Sequence, residues 1–133
     1  MIVVDASAMV EALVGTDVDP HLLDLLSADL AAPHLLDVEV LSVLGGLERG
    51  RKLSSTRAEQ ARDDYFSFTI SRHETPPLAE RIWALRHQFT SYDATYLALA
   101  EALETPLVTL DAKLAATGHH ATVLVPTSGT ERT

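Results

Sequence analysis

Short apolar runs alternate with longer stretches of helical periodicity along the chain. The apolar runs predict strands at residues 2–4, 30–33, 67–71, 106–110 and 122–126. The stretches between them repeat apolar residues at helical spacing, which predicts helices. Short buried strands that alternate with helices indicate a parallel sheet covered on both faces. We therefore expect an α/β chain with three layers, α/β/α, around a parallel sheet of four or five strands.

Several residues predict where helices begin and end. Gly15 closes the helix that follows the first strand, and Ser54 caps a later one. The pair Gly45–Gly46 is expected to weaken or bend the helix that contains it. Further helices are predicted at residues 78–89 and directly after Asp111.

The most apolar helix is predicted over Ser91–Glu101, with the sequence SYDATYLALAE. Its apolar residues run nearly all the way round, so we expect the helix to be buried. Asp93 lies in the first turn, where an isolated buried carboxylate would cost several kcal/mol. Either the helix dipole and free amides satisfy this acid, or it belongs to a functional site.

Asp5 and Asp111 occupy equivalent positions, each directly after an apolar strand and at the start of a helix. In an open parallel sheet this position is the carboxyl edge, where ligands bind. Either acid alone could be a helix cap, but the repeated placement suggests a shared site. Ser7 and Thr109, each two residues from one of these acids, either orient them by hydrogen bonds or make ordinary turn contacts.

Two acids fall on the helix predicted after Pro33. At about 100° per residue, Glu39 lies between Leu35 and Val43 inside the apolar arc and therefore needs a partner. Asp37 lies at the edge of the arc in the first turn, where a capping or dipole role explains it.

The length of 133 residues suits one domain, which we assign to residues 1–126, and residues 127–133 have the composition of a flexible tail. The sequence has neither a run of about 18 apolar residues nor a basic leader, so it predicts a cytoplasmic protein without a membrane span. Cysteine is absent, which excludes thiolate metal sites, and the six histidines are scattered. Carboxylates remain as ligands, and these suit a hard cation.

The net charge of −9 argues against a broad basic surface for nucleic acid and favours a basic partner. No Lys or Arg lies in helical contact range of Glu39 or Asp93. Clustered carboxylates would raise one another's pKa, whereas Mg²⁺ or Mn²⁺ would hold them ionised. Such a metal could activate water for attack on a phosphodiester.

Five stretches of the chain, in order, resemble the PIN domain, and specifically the VapC-like ribonuclease toxins of prokaryotic toxin–antitoxin pairs. They are IVVDASAMVEALVG, DVEVLSVLGGL, GRKLS, YDATYLALAE and LVTLDAKL, and the match covers nearly the whole chain. The resemblance implies a PIN-like fold and a Mg²⁺- or Mn²⁺-dependent endoribonuclease, often acting on structured RNA such as tRNA.

The resemblance also implies site residues and partners. It gives Asp5, Glu39, Asp93 and Asp111 as catalytic acids, with Asp5, Asp93 and Asp111 as metal ligands and Ser7 as their helper. It implies a homodimer and a cognate antitoxin whose basic C-terminal segment enters the acidic site. One departure is Lys113, because many relatives carry a further acid just after the fourth one.

Two other functions remain open. A phosphotransfer enzyme of the haloacid dehalogenase type also begins with an aspartate after the first strand, but it needs a second acid where this chain has Ser7. A non-catalytic acidic module would dock a basic partner peptide and cut nothing.

Two further groups of side chains have open or minor roles. Trp83, Tyr92 and Tyr96 are expected to pack, with Tyr92 the best placed to line the site. The basic cluster is either a solvated helix end or a contact with RNA phosphate. It consists of Arg49, Arg51, Lys52 and Arg57.

Overall fold

The computed structural model describes residues 1–129 of the chain. Five strands form one parallel sheet in the order β3-β2-β1-β4-β5. The strands are β1 (Ile2–Val4), β2 (Leu30–Pro33), β3 (Ile70–His73), β4 (Leu107–Val108) and β5 (Val123–Leu124). The helices are α1 (Ala6–Val14), α2 (Pro20–Leu25), α3 (Leu35–Arg49), α4 (Ser55–Ser67), α5 (Ala79–Ala84) and α6 (Ser91–Leu103). This arrangement confirms the predicted three-layer α/β/α fold.

The first strand and helix follow the predicted pattern. All of β1 is buried, and Asp5 caps α1 by accepting a hydrogen bond from the amide of Ala8. Gly15 ends α1, as its position predicted. Ser54 likewise caps α4, since its side chain accepts a hydrogen bond from the amide of Arg57.

Helix α6 forms the core of the layer that covers β1, β2 and β4. Every residue from Ala94 to Ala100 is buried, as the apolar sequence predicted. Its N-cap is Thr90, whose hydroxyl accepts a hydrogen bond from the amide of Asp93 at 3.1 Å. Helices α1, α3 and α4 pack on one another.

Two predicted elements lie elsewhere or are shorter. The strand predicted at 67–71 begins at Ile70, because α4 continues to Ser67. The helix expected after Asp111 is a 3-10 turn over Ala112–Ala115. It ends where Ala116 takes an extended backbone, with φ −66° and ψ 161°. Beyond it, Gly118 adopts φ 113° and His119 Nε2 bonds to the carbonyl of Leu114 at 2.7 Å.

Two helices also differ from expectation. Helix α5 covers only the first half of the predicted 78–89 span, and the residues after Ala84 form turns. Arg86 Nη1 donates to the carbonyl of Trp83 at 2.9 Å beyond the end of the helix. Helix α3 runs unbroken through Gly45–Gly46, and the guanidinium of Arg49 lies against that glycine pair.

The end of the described chain lies against the domain. The amide and hydroxyl of Thr127 donate to Asp19 Oδ2 at 3.2 and 3.1 Å, and the amide of Gly129 donates to Glu11 Oε2 at 3.0 Å. The rest of the predicted tail, residues 130–133, lies outside the described residues. Within residues 1–129, no helix is long and apolar enough to cross a membrane.

Candidate active site

The carboxyl edges of β1 and β4 bring two polar segments together. The strands are parallel neighbours in which Val4 pairs with Val108. Asp5 therefore lies beside Thr109, each being the first residue after its strand. The amide of Asp5 donates to the carbonyl of Val108 at 3.2 Å, which fixes the two segments in register.

Asp5 is held at both carboxylate oxygens. Ser7 Oγ and the amide of Ala8 donate to Oδ1 at 2.7 and 3.1 Å, and Thr109 Oγ1 donates to Oδ2 at 2.5 Å. Asp5 is only 7% exposed, and this burial raises its pKa although the bonds from Thr109 and Ser7 oppose the rise. The acid is thus rigid and costly to ionise.

Ser7 and Thr109 also fix the approach to Asp111. The amide of Leu110 donates to Ser7 Oγ at 2.9 Å, and the amide of Asp111 donates to Thr109 Oγ1 at 3.0 Å. Asp111 caps the 3-10 turn by accepting from the amide of Lys113 at 3.0 Å. The two hydroxyls therefore connect Asp5 and Asp111. The prediction that Asp111 directly follows its strand, as Asp5 does, is wrong, because β4 ends at Val108 and Thr109 takes the position equivalent to Asp5.

Glu39 comes to the same edge from α3. Burial, followed by repulsion from Asp5 and Asp93, raises its pKa, while a hydrogen bond from Tyr96 opposes the rise. The Tyr96 hydroxyl donates to Glu39 Oε1 at 2.5 Å. Tyr96 is itself buried, and burial together with this bond raises its own pKa, so the phenol remains the donor.

Asp93 faces the site from the first turn of α6. Burial raises its pKa, and repulsion from Asp111 raises it further. Lys113 and the hydrogen bond with Thr90 act in the opposite direction. Lys113 is therefore a cation near Asp93 that helical spacing could not reveal, because it belongs to the segment after β4.

The four predicted acids form a chain of mutual repulsion. Asp93 raises the pKa of both Asp5 and Glu39, and Asp111 raises that of Asp93. Among residues 1–129, no three His, Asp or Glu side chains already form a group that could hold a metal ion. Mg²⁺ is commonly bound by one or two carboxylates and several waters, so this all-oxygen set fits a hard divalent cation without a closed cage.

Asp37 lies apart from this chemistry. Its Oδ1 and Oδ2 accept from Arg72 Nη2 and Nε, each at 3.0 Å, and the hydroxyl of Tyr65 donates to Oδ1 at 2.6 Å. Burial alone would raise its pKa, but the bonds from Arg72 and Tyr65 outweigh burial and hold the pKa below its ordinary value. Asp37 thus joins the start of α3 to β3 and α4, a larger role than the predicted cap.

Aromatic side chains differ from the expectation that all three would pack. Trp83 and Tyr92 are 67% and 61% exposed, so neither is a core residue. Tyr96 is buried, but its hydroxyl serves Glu39. A signal for Tyr96 existed in the sequence, because it follows Asp93 by three residues and therefore lies on the same side of the helix.

Part of the basic cluster borders the site. Lys52 and Arg57 line a groove of about 500 Å³ that also includes Ser7 and Glu11. Valine and leucine side chains from α1 and α3 make up much of the remaining wall. The groove thus connects the edge of the acidic site to two cations.

Comparisons with known proteins match this architecture. The family model described as PIN domain matches residues 2–119. Ribonuclease VapC9 of Mycobacterium tuberculosis is 40% identical over 119 residues, covering 89% of this chain and 91% of the relative. Ribonuclease VapC1 of the same organism is 43% identical over 117 residues, covering 86% and 88%.

Solved structures share the fold. The crystal structure of PAE2754 from Pyrobaculum aerophilum has a TM-score of 0.69 at 28% identity and covers 92% of this chain and 82% of that one. VapC20 of Mycobacterium tuberculosis, a sarcin–ricin loop cleaving toxin, has a TM-score of 0.64 at 19% identity, covering 95% and 100%. A toxin–antitoxin complex from Klebsiella pneumoniae has a TM-score of 0.64 at 20% identity and covers 96% of this chain and 99% of that one. The family match and the two close relatives show that this chain belongs to the PIN domain family, among the VapC ribonucleases.

Proposed function

We propose that this chain is an endoribonuclease toxin that depends on Mg²⁺ or Mn²⁺ and hydrolyses phosphodiester bonds in RNA. The observation that carries the proposal is the set of four acids at one sheet edge, three of which, Asp5, Glu39 and Asp93, have pKa values raised by burial and by repulsion from neighbouring acids. Relatives at 40% and 43% identity are named ribonucleases, which supports RNA as the substrate. A structured RNA such as tRNA is the substrate class we assign.

Asp5, Asp93 and Asp111 are the residues that would hold the cation. When bound, a divalent cation supplies the Lewis acidity that activates water and stabilises the charge of phosphodiester displacement. The chain contributes orientation, because Ser7 and Thr109 fix both oxygens of Asp5 before any ligand arrives. Preorganised ligands of this kind avoid the cost of reorganisation during the reaction.

Glu39 is the fourth catalytic acid, and we assign Tyr96 as its positioning residue. The phenol donates to Oε1 at 2.5 Å, which fixes the orientation of the carboxylate. Burial and the charges of Asp5 and Asp93 raise the pKa of Glu39, and a carboxylate with a raised pKa is a better proton acceptor at neutral pH.

The partner we propose is an antitoxin whose basic C-terminal segment enters the acidic site. The net charge of −9 favours a basic ligand, and a complex of the same fold from Klebsiella pneumoniae contains a toxin and an antitoxin. The planar fork of an arginine can bridge two carboxylates and take the place of a cation. Asp5 and Asp93 are the acceptors we assign, and we propose that the toxin is a homodimer.

Cleavage of defined RNAs tests the catalytic proposal. A tRNA pool and an unstructured RNA should both be incubated with the full chain in Mg²⁺, Mn²⁺ or a chelator. We expect new RNA ends with either metal and none with the chelator, with tRNA cut faster. The matched control is Asp63→Asn, which removes one exposed acid on α4 and should cut at the wild-type rate.

Two results would count against the proposal. Cleavage that persists in the chelator would remove the metal from the mechanism. A chain that binds a basic partner peptide through the acidic edge, yet cuts no RNA with either metal, would instead establish the non-catalytic acidic module.

A further inference from the structure

A second cavity adjoins the acidic site on the side of α6. It has a volume of about 520 Å³, and Asp93 forms part of its wall. This volume lies within the range of roughly 300–1,000 Å³ typical of small-molecule sites. The remaining wall comes from residues 88–90 and from residues 113, 116 and 117, so the cavity lies between the segment before α6 and the segment after β4.

Two side chains of the cavity are fixed in place. Phe89 is half-buried, and its ring meets His119 with 5.8 Å between the ring centroids. The amide of Gln88 lies over Gly118, where an added Cβ would come within 1.9 Å of Gln88 Oε1. Gly118 also has φ 113°, so both the backbone conformation and the close approach of Gln88 favour glycine at this position. An aromatic ring and a side-chain amide thus share one wall.

Lys113 supplies the positive charge of the same cavity. Its backbone is fixed by the bond to Asp111 at 3.0 Å, while its side chain is exposed and close enough to Asp93 to act on it electrostatically. In a chain of net charge −9, an anionic ligand needs a local cation of this kind. The same cation disfavours an arginine-rich peptide in this cavity.

From these contacts we propose that the cavity binds one nucleotide of the RNA, adjacent to the phosphate that is cut. The base lies against Phe89 with its edge on the amide of Gln88, and Lys113 contacts a neighbouring phosphate. Bases stack on aromatic side chains regardless of sequence, whereas the amide can discriminate between base edges. This inference rests on the proposed ribonuclease function and assigns a substrate-binding role to Lys113.

Nucleotide titration of the isotope-labelled full chain, followed by NMR, tests the site without relying on cleavage. The probes are the four ribonucleoside 5′-monophosphates, inorganic phosphate and an arginine-rich peptide. We expect nucleotides to shift the signals of Gly118 and of the Gln88 side-chain amide more than phosphate does. Lys113→Ala should weaken binding about tenfold, and Lys113→Arg should restore it. Arg62→Ala, which removes an exposed cation on α4, should change nothing.

Phe89→Leu should weaken the binding of nucleotides but not the binding of inorganic phosphate. A thermal melt verifies that the variant is folded. The exposed Lys113 variants keep the test decisive should that variant unfold. Nucleotide shifts that avoid the cavity, or a peptide that shifts these signals when nucleotides do not, would overturn the proposal. With RNA as substrate, Lys113→Ala should raise KM about tenfold. A chain that binds nucleotides here but cuts no RNA would refute the ribonuclease function alone and support this site.

Discussion

The substitution Tyr96→Phe removes one hydroxyl and tests whether Tyr96 positions Glu39, because every other side chain of the site stays unchanged. The phenol donates to Glu39 Oε1 at 2.5 Å, and Tyr96 is only 3% exposed, so water cannot readily replace the bond. Hydrogen bonds to charged groups contribute about 1.5–3 kcal/mol. The free energy of unfolding should fall by that amount at neutral pH, or about 4 °C in Tm per kcal/mol for a chain of this size.

The loss should depend on pH in a defined direction. Burial raises the pKa of Glu39 above 4.5, and the Tyr96 bond lowers it, so Tyr96→Phe raises the pKa further. The bond therefore stabilises the fold when Glu39 is ionised. The difference in free energy of unfolding should be largest at neutral pH and shrink as the pH falls through the pKa of Glu39.

A second tyrosine provides the matched control. Tyr65 is fully buried and donates to Asp37 at 2.6 Å, outside the acidic site. Tyr65→Phe should lower stability by a similar amount and leave kcat unchanged, whereas Tyr96→Phe should lower kcat about 10- to 100-fold. Denaturant titrations in a chelator and single-turnover cleavage with Mn²⁺ measure the two effects. Equal losses of kcat in both variants, or none in either, would refute the positioning role of Tyr96.

Three further outcomes follow from the same site. Asp93→Asn should abolish cleavage, and cleavage at the wild-type rate would exclude Asp93 from catalysis. In a chelator the variant should melt no lower than wild type, because the substitution removes the repulsion between Asp93 and Asp111. Light scattering at a protein concentration of roughly tens of micromolar should show a homodimer, and a monomer at that concentration would contradict dimerisation. Replacing the C-terminal arginines of the cognate antitoxin by alanine should restore cleavage, because the antitoxin then dissociates faster from the toxin. Inhibition that survives those substitutions would refute the proposal that an arginine bridges Asp5 and Asp93.

The sequence predicted the sheet and the bounds of β1 and β2 because those depend on local patterns. Asp5 and Gly15 bracket α1 with the residue types that helix ends prefer, and the buried helix α6 needs only its composition to be recognised. The helix expected after Asp111 ends early because Ala116 has an extended backbone, with φ −66° and ψ 161°. The ring of His119 then bonds to the carbonyl of Leu114, a local contact that apolar periodicity does not reveal.

In the candidate site, too, the sequence reveals what depends on local pattern and misses what depends on contacts between distant segments. Each acid could be proposed from its place on a strand end or helix face, but the side chains that fix those acids come from other elements. Thr109 reaches Asp5 across 104 residues, and Tyr96 reaches Glu39 across 57. Tyrosine in an apolar arc resembles a packing residue, although its buried hydroxyl requires a partner. Lys113 approaches Asp93 because α6 packs against β4, and Lys113 lies in the turn that follows β4.

Helix α6 carries a proposed catalytic acid and part of the core on one short segment. It carries Asp93 and Tyr96, and every position from Ala94 to Ala100 is buried. Its small residues Ala94, Ala98 and Ala100 leave no space for larger side chains, since overpacking a core costs about 1–3 kcal/mol. In a genetic selection for cells that survive expression of the toxin alone, escape mutations along this helix should therefore show no periodicity of 3.6 residues, because no solvent-facing position interrupts the segment.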